Sequence, residues 1–164
     1  MSLNGKIAIV TGAAQGIGEA TAQRLASEGA TVIAADIQDA AGTVNSILEM
    51  GGKAEAHHLD VRLKSNWAET VHEVIGRHGR IDLLANVAGV VNMISEDSVV
   101  GLTEEAWEHV IGTDLKGVWL GMQAVIPNMI ERGGGRIVNI ASMAALRGLP
   151  NLAPTPRRRV EWSR

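Results

Sequence analysis

The chain has 164 residues, of which 46% are hydrophobic and 20% charged; this is enough for one domain with a real core, and the balance excludes an intrinsically disordered protein. A formal net charge of −3 excludes a general electrostatic attraction to nucleic acid, and the absence of cysteine excludes a disulfide framework or a Cys-based metal site. The opening "MSLNGKIAIVTG" has no charged leader before a long apolar run, and no window reaches the roughly 18 uninterrupted apolar residues of a membrane span, so a cytoplasmic protein without membrane contact is expected.

The predicted elements alternate in type along the chain. "KIAIVTG" (6–12) reads as a short buried strand closing on glycine, and "GIGEATAQRLASEG" (16–29) as a helix that gathers Ile17, Ala20, Ala22, Leu25 and Ala26 near one face and stops at Gly29. A strand over 30–36, a helix over 38–52 ending in two glycines and a strand over 53–61, polar on one face, come next. They are followed by a helix over 64–79, a strand over 81–89, and a long helix from the N-cap Thr103 to about Arg132, with Glu104 and Glu105 near its positive end. "GRIVNIAS" (135–142) is the fifth strand. Strands alternating with helices predict an α/β domain: a Rossmann-type, doubly wound parallel sheet with right-handed crossovers and helices on both faces.

The sharpest local pattern is "TGAAQGIG" (11–18), between the first strand and the first helix. Gly12, Gly16 and Gly18 let the backbone turn tightly and approach a pyrophosphate, which then rests on the amides at a helix N-terminus. The flanking strand and helix are the context such a loop needs. Asp36 ends the second strand, where a carboxylate accepts from the adenosine ribose hydroxyls and repels a 2′-phosphate. The neighbouring places that could reverse this preference hold Gln15 and Ile37, neither of them basic, so NAD is expected over NADP.

Here the spacing Gly12-x-x-x-Gly16-x-Gly18 resembles that of the short-chain dehydrogenases/reductases, and further motifs follow in the family's order. "LDV" (59–61) is similar to the family's adenine contact, with Asp60 and Val61 at the end of the third strand. "NVAG" (86–89) is similar to its Asn-Asn-Ala-Gly, with Asn86, Ala88 and Gly89 matching and Val87 in place of the second Asn. "GRIVNIAS" is similar to the strand that delivers the catalytic serine, a role that falls on Ser142, and the family's helix asparagine corresponds to Asp114. The resemblance covers residues 4 to about 154. It implies hydride transfer between NAD and a secondary alcohol or ketone. The cofactor would be held by Gly12, Gln15, Gly16, Ile17, Gly18, Asp36, Ile37, Asp60, Val61, Asn86, Ala88 and Gly89. The serine would hold the substrate oxygen, and Asp114 would position water for a proton relay. No metal is implied. Trp107, Trp119, Leu120 and Met122 on the long helix read as core or subunit interface, and the resemblance implies a homo-oligomer.

The same resemblance implies a tyrosine at position 155 and a lysine four residues on. The chain has Thr155 and Arg159 there, and no tyrosine at all. A threonine hydroxyl is far too weak an acid to replace a phenol of pKa near 10, and an arginine does not give up its proton. The family pattern also continues with a further helix, a sixth strand, a substrate-covering loop and a seventh strand, so the sheet is expected to lack its last strands. A catalytically silent nucleotide-binding remnant is the alternative.

One lost base explains both substitutions. Residues 155–163 can be written ACC CCG CGG CGA AGG GTG GAG TGG TCN. With a single T restored in front, they regroup as Tyr-Pro-Ala-Ala-Lys-Gly-Gly-Val-Val. The domain is therefore expected to run over 1–154, with 155–164 a frameshifted tail.

Other signals have plainer readings. "RRR" (157–159) is too short for a nucleic-acid patch. His57 and His58 are adjacent on a strand and face opposite sides, a poor metal pair. His72, His78 and His109 are expected on solvated helix faces. Ser142 lies outside the Gly-x-Ser-x-Gly pattern of a hydrolase nucleophile.

Overall fold

The computed structural model describes residues 2–90 and 101–142. The elements are β1 (Ile7–Thr11), α1 (Gly16–Ser27), β2 (Thr31–Asp36), α2 (Ala41–Glu49), β3 (Lys53–His58), α3 (Lys64–His78), β4 (Leu83–Asn86), α4 (Glu104–Ile111), α5 (Gly117–Glu131) and β5 (Arg136–Asn139). A π-helical turn, Gly112–Lys116, joins α4 to α5. The strands form one parallel sheet in the order β3-β2-β1-β4-β5. The expected Rossmann-type architecture is the one observed.

The period of two along the central strands sorts side chains onto two faces. Ile7, Ile9, Ile33 and Leu84 face a core with Trp67 and Val74 of α3 and Leu120, Val125 and Met129 of α5. Ala8, Val10, Val32 and Ala34 face the other side, against Ala22 and Ala26 of α1 and Ile47 of α2. Trp67, 1% exposed, fills the centre of the first core and donates from Nε1 to the Val61 carbonyl at 3.0 Å. A Cβ at Gly121 would lie 2.7 Å from its ring, so the small residue lets α5 close over the indole. Leu120 is likewise buried, whereas Trp107 and Trp119 are exposed on the outer surface.

The strands expected over 81–89 and 135–142 are shorter, at Leu83–Asn86 and Arg136–Asn139, and three further differences from the sequence reading have local hydrogen bonds beside them. The third strand ends at His58, before Asp60 and Val61. The Asp60 carboxylate accepts from Arg62 N–H at 3.0 Å and its carbonyl from Leu63 N–H at 3.0 Å, which turns the chain. The second helix begins at Ala41, because Gln38 N–H and Ala41 N–H are taken by the Asp36 and Asp39 side chains, both at 2.9 Å. The long helix carries the π turn in its middle, where Asp114 Oδ1 accepts Val90 N–H at 2.9 Å and Val61 packs against Gly117. Two expectations are met in detail. Thr103 caps α4 by accepting Ala106 N–H at 3.2 Å, and Gly29 follows the end of α1.

Two histidines expected on solvated faces have partners. His78 Nε2 lies 2.9 Å from Glu55 Oε1, an ion-pair distance without hydrogen-bond alignment, and His109 Nδ1 lies 3.0 Å from Arg62 Nη1. Among the described residues no cluster of three or more His, Cys, Asp or Glu could hold a metal, and no helix is long and apolar enough to cross a membrane. Residues 155–164, where the frameshift is expected, lie outside the described residues.

Candidate cofactor site

A parallel sheet delivers all its strands' C-terminal ends to one edge, and ligands bind outside that edge where the strand order reverses. Here the reversal lies between β1 and β4, and a cleft of about 410 Å³ opens there. That volume is within the range of small-molecule and cofactor sites.

The glycine loop forms the floor. Gly12 has φ +68°, and a Cβ there would sit 2.8 Å from the Ala88 Cα. A Cβ at Gly18 would sit 1.9 Å from the Gly12 carbonyl oxygen, so the start of α1 presses directly on the turn before it. Neither position admits a side chain without moving backbone. The N-terminus of α1 has no side-chain cap at Gln15, and Gln15, Ile17 and Gly18 there line the cleft, so a helix N-terminus suited to an anion adjoins it. Buried threonines fix this floor. Thr11 Oγ1 accepts Val87 N–H and Ala88 N–H, both at 3.0 Å, tying β1 to the loop after β4, and Thr43 donates to the Ala13 carbonyl at 2.7 Å.

Asp36 stands at the end of β2 and lines the cleft, 8% exposed. One carboxylate oxygen accepts Ala14 N–H and the other Gln38 N–H, each at 2.9 Å. Each oxygen keeps a lone pair for a further donor. Beside it Ile37 is 52% exposed and Ile17 67% exposed, apolar side chains that remain in water at the cleft mouth.

The turn after β3 adds Leu59, Asp60, Val61 and Arg62. Arg62 places Nε at 2.9 Å and Nη2 at 2.6 Å from the two Asp60 oxygens. This guanidinium holds the Asp60 carboxyl below its ordinary range, against the opposing effect of burial. Arg62, not singled out from sequence, and His109, expected on a solvated helix face, are thus part of the wall, as is Thr113 from the π turn. Arg62 directly follows "LDV", but nothing in the sequence pairs it with a residue 47 positions on.

Most of the expected cofactor residues converge. Gly12, Gln15, Ile17 and Gly18 line the cleft from the loop, Asp36 and Ile37 from β2, Asp60 and Val61 from the turn, and Ala88 and Gly89 from the loop after β4. Two do not. Gly16 lies exposed on the rim of the loop. Asn86 is buried, with Nδ2 donating to Asn139 Oδ1 at 2.9 Å and its carbonyl accepting Ile140 N–H at 3.1 Å, so it ties β4 to β5 instead of lining the cleft. Asp114 is 2% exposed in the π turn, holding the backbone of Val90 at the cleft wall. Ser142 follows β5 at the same sheet edge, half-buried.

This donor set fits a dinucleotide: bare amides over a floor with no room for Cβ atoms, a carboxylate at a strand end, and apolar rims. The model of the short chain dehydrogenase family matches residues 6–154. A 3-oxoacyl-(acyl-carrier-protein) reductase of Thermotoga maritima is 40% identical over 92% of this chain and 61% of its own length. A galactitol 2-dehydrogenase of Agrobacterium fabrum is 44% identical over 90% of this chain and 57% of its own. The chain therefore spans about three fifths of these curated relatives. A metagenomic short-chain oxidoreductase, solved in complex with NADP, superposes with a TM-score of 0.91 at 32% identity, covering 97% of this chain and 72% of that one. The chain belongs to the short-chain dehydrogenase family.

Proposed function

We propose that this chain binds NAD in the cleft and serves hydride transfer between the nicotinamide and a secondary alcohol or ketone, in the cytoplasm. The observation that carries the choice of NAD is Asp36. Its carboxylate is fixed by two backbone amides at the mouth of the cleft, where it meets ribose hydroxyls as an acceptor and a 2′-phosphate as a like charge. Arg62 is the one Lys or Arg among the described residues lining the cleft, and its guanidinium is committed to Asp60, so it offers little net charge to a phosphate. The solved NADP complex of a family member argues the other way, but that ligand is a property of that protein.

When bound, the nicotinamide supplies the hydride acceptor or donor. Gly12 and Gly18 bring the backbone against the pyrophosphate, and Ile37 and Val61 give the adenine apolar walls. Ser142 holds the substrate oxygen, and Asp114 keeps the loop at Val90 in place beside the relay water. Outward Trp107 and Trp119 suit a homo-oligomer interface.

A second reading rests on one specific observation: the chain contains no tyrosine, and Thr155 and Arg159 stand where the proton-transfer pair belongs. As written, the chain is then a nucleotide-binding remnant. A single lost base after Pro154 reconciles the two readings, and the family match ends at that residue. Sequencing the gene across codon 154 tests this. An in-frame Tyr-x-x-x-Lys one base away supports it, and its absence from every frame refutes it.

The binding reading is tested by thermal shift. NADH is expected to raise the melting temperature of the wild type, and Asp36→Ala to abolish most of that shift. An unchanged shift in Asp36→Ala would refute the assignment. Turnover of a panel of secondary alcohols by the same protein separates the enzyme from the silent binder.

A further inference from the structure

We propose that Arg62 and His109 form a bridge that sets the width of the cleft at its adenine end and positions that half of the cofactor; the inference rests on the binding reading above. Two walls meet there from different elements. One is the turn after β3, with Leu59, Asp60 and Val61, and the other is α4 with the π turn, carrying His109 and Thr113. Arg62 spans them. Its Nε and Nη2 are fixed on the Asp60 carboxylate, its stem runs past Gly112, where an added Cβ would touch Cγ and Cδ at 3.5 Å, and its remaining Nη1 reaches His109 Nδ1 at 3.0 Å.

Arginine only donates, so in this contact His109 Nδ1 takes the place of the acceptor. Asp60 serves as the anchor. Three donors from Arg62 converge on it, its own N–H and two guanidinium nitrogens, and these hold the fork flat and aimed at α4. The other walls are tied by Thr11, Thr43 and Asp36 side chains bonded to backbone groups. Here both partners are side chains, so either end of the tie can be removed by substitution. Arg62 and His109 are positioning residues: they act by holding Val61 and Thr113 at a fixed separation.

The test measures binding of NADH, ADP-ribose and reduced nicotinamide mononucleotide by calorimetry, with the ligand-free melting temperature recorded for each variant. Arg62→Ala and His109→Ala are expected to weaken NADH and ADP-ribose by the same factor, about tenfold, the scale of one charge-assisted hydrogen bond, and to leave the mononucleotide unchanged. His109→Gln keeps an acceptor within reach and is expected to bind nearly as the wild type. Arg62→Lys keeps the charge but lacks the fork, and is expected to behave as Arg62→Ala. Equal losses for ADP-ribose and the mononucleotide would overturn the proposal. So would a loss in His109→Gln as large as in His109→Ala, or full affinity in Arg62→Ala. Failure of the wild type to bind either NADH or ADP-ribose would overturn the cofactor reading together with the bridge, whereas wild-type binding that Arg62→Ala leaves intact would overturn the bridge alone.

Discussion

A methyl group at position 18 would overlap the carbonyl of Gly12, and that single contact explains why the first helix can start where it does. The helix N-terminus must lie against the turn for its amides to face an anion, and only a hydrogen fits between them. Gly18→Ala is therefore expected to push the helix off the loop, costing roughly 1–3 kcal/mol by overpacking and weakening NADH more than tenfold. Chemical denaturation and an NADH titration check both effects; wild-type affinity in the Gly18→Ala variant would show that the close approach is not needed. Glycine spacing made this position legible from the sequence. Asn86 was legible as important but not in its role, because a motif gives a residue's place without saying which way its side chain turns. Its amide went to Asn139 across the β4–β5 pair.

Among the elements, the ones that read best were those whose pattern repeats over several turns. The buried strands β1 and β2 and the helices α1 and α3 needed no tertiary information beyond their periodicity. The π turn did not announce itself, since one extra residue within a single turn leaves no periodic trace. The contacts around it are tertiary: Asp114 accepts Val90 N–H, and Val61 packs where Gly117 leaves room. The sequence makes β3 three residues too long, for the Asx-type turn at Asp60 looks like more strand. Thr103 shows the converse, a cap that sequence chemistry alone identifies. Thr103→Ala is expected to cost about 1 kcal/mol, seen as a lower denaturant midpoint with an unchanged slope; no loss would mean that water replaces the cap.

Over the whole molecule, the sheet is secured at its base by Asp82, just before β4. Its carboxylate accepts Ile7 N–H at 3.0 Å, pairs with Lys6 at 3.0 Å and is held by Arg80. Burial pushes this carboxyl up, and the bonds from Arg80, Ile7 N–H and Lys6 more than offset it, so it stays below the usual carboxylate range. Asp60 is lowered by Arg62, and Glu55 is lowered by Arg77 and His78 despite burial. Carboxyls depressed in the folded state contribute stability above their unfolded values near 4, and that contribution is lost as pH falls through the lower folded values. The melting temperature is thus expected to hold between pH 7 and about 5 and to fall below about 4. Asp82→Asn should start lower and fall less; a parallel fall would remove Asp82 from the account. Asp82→Ala, which leaves Ile7 N–H buried without a partner, is expected to cost about 1–3 kcal/mol. The fold class was readable at this scale because strand and helix alternate throughout. The Arg62–His109 contact was not, because it joins distant residues that only the folded sheet brings together.

We propose that Asp36 selects NAD over NADP in this cleft. Parallel titrations of NADH and NADPH into the wild type and Asp36→Ala test it most directly. The expected result is at least tenfold tighter binding of NADH by the wild type, with the preference collapsing in the variant through weaker NADH and stronger NADPH. Equal or tighter NADPH binding by the wild type would show that Asp36 does not select the cofactor.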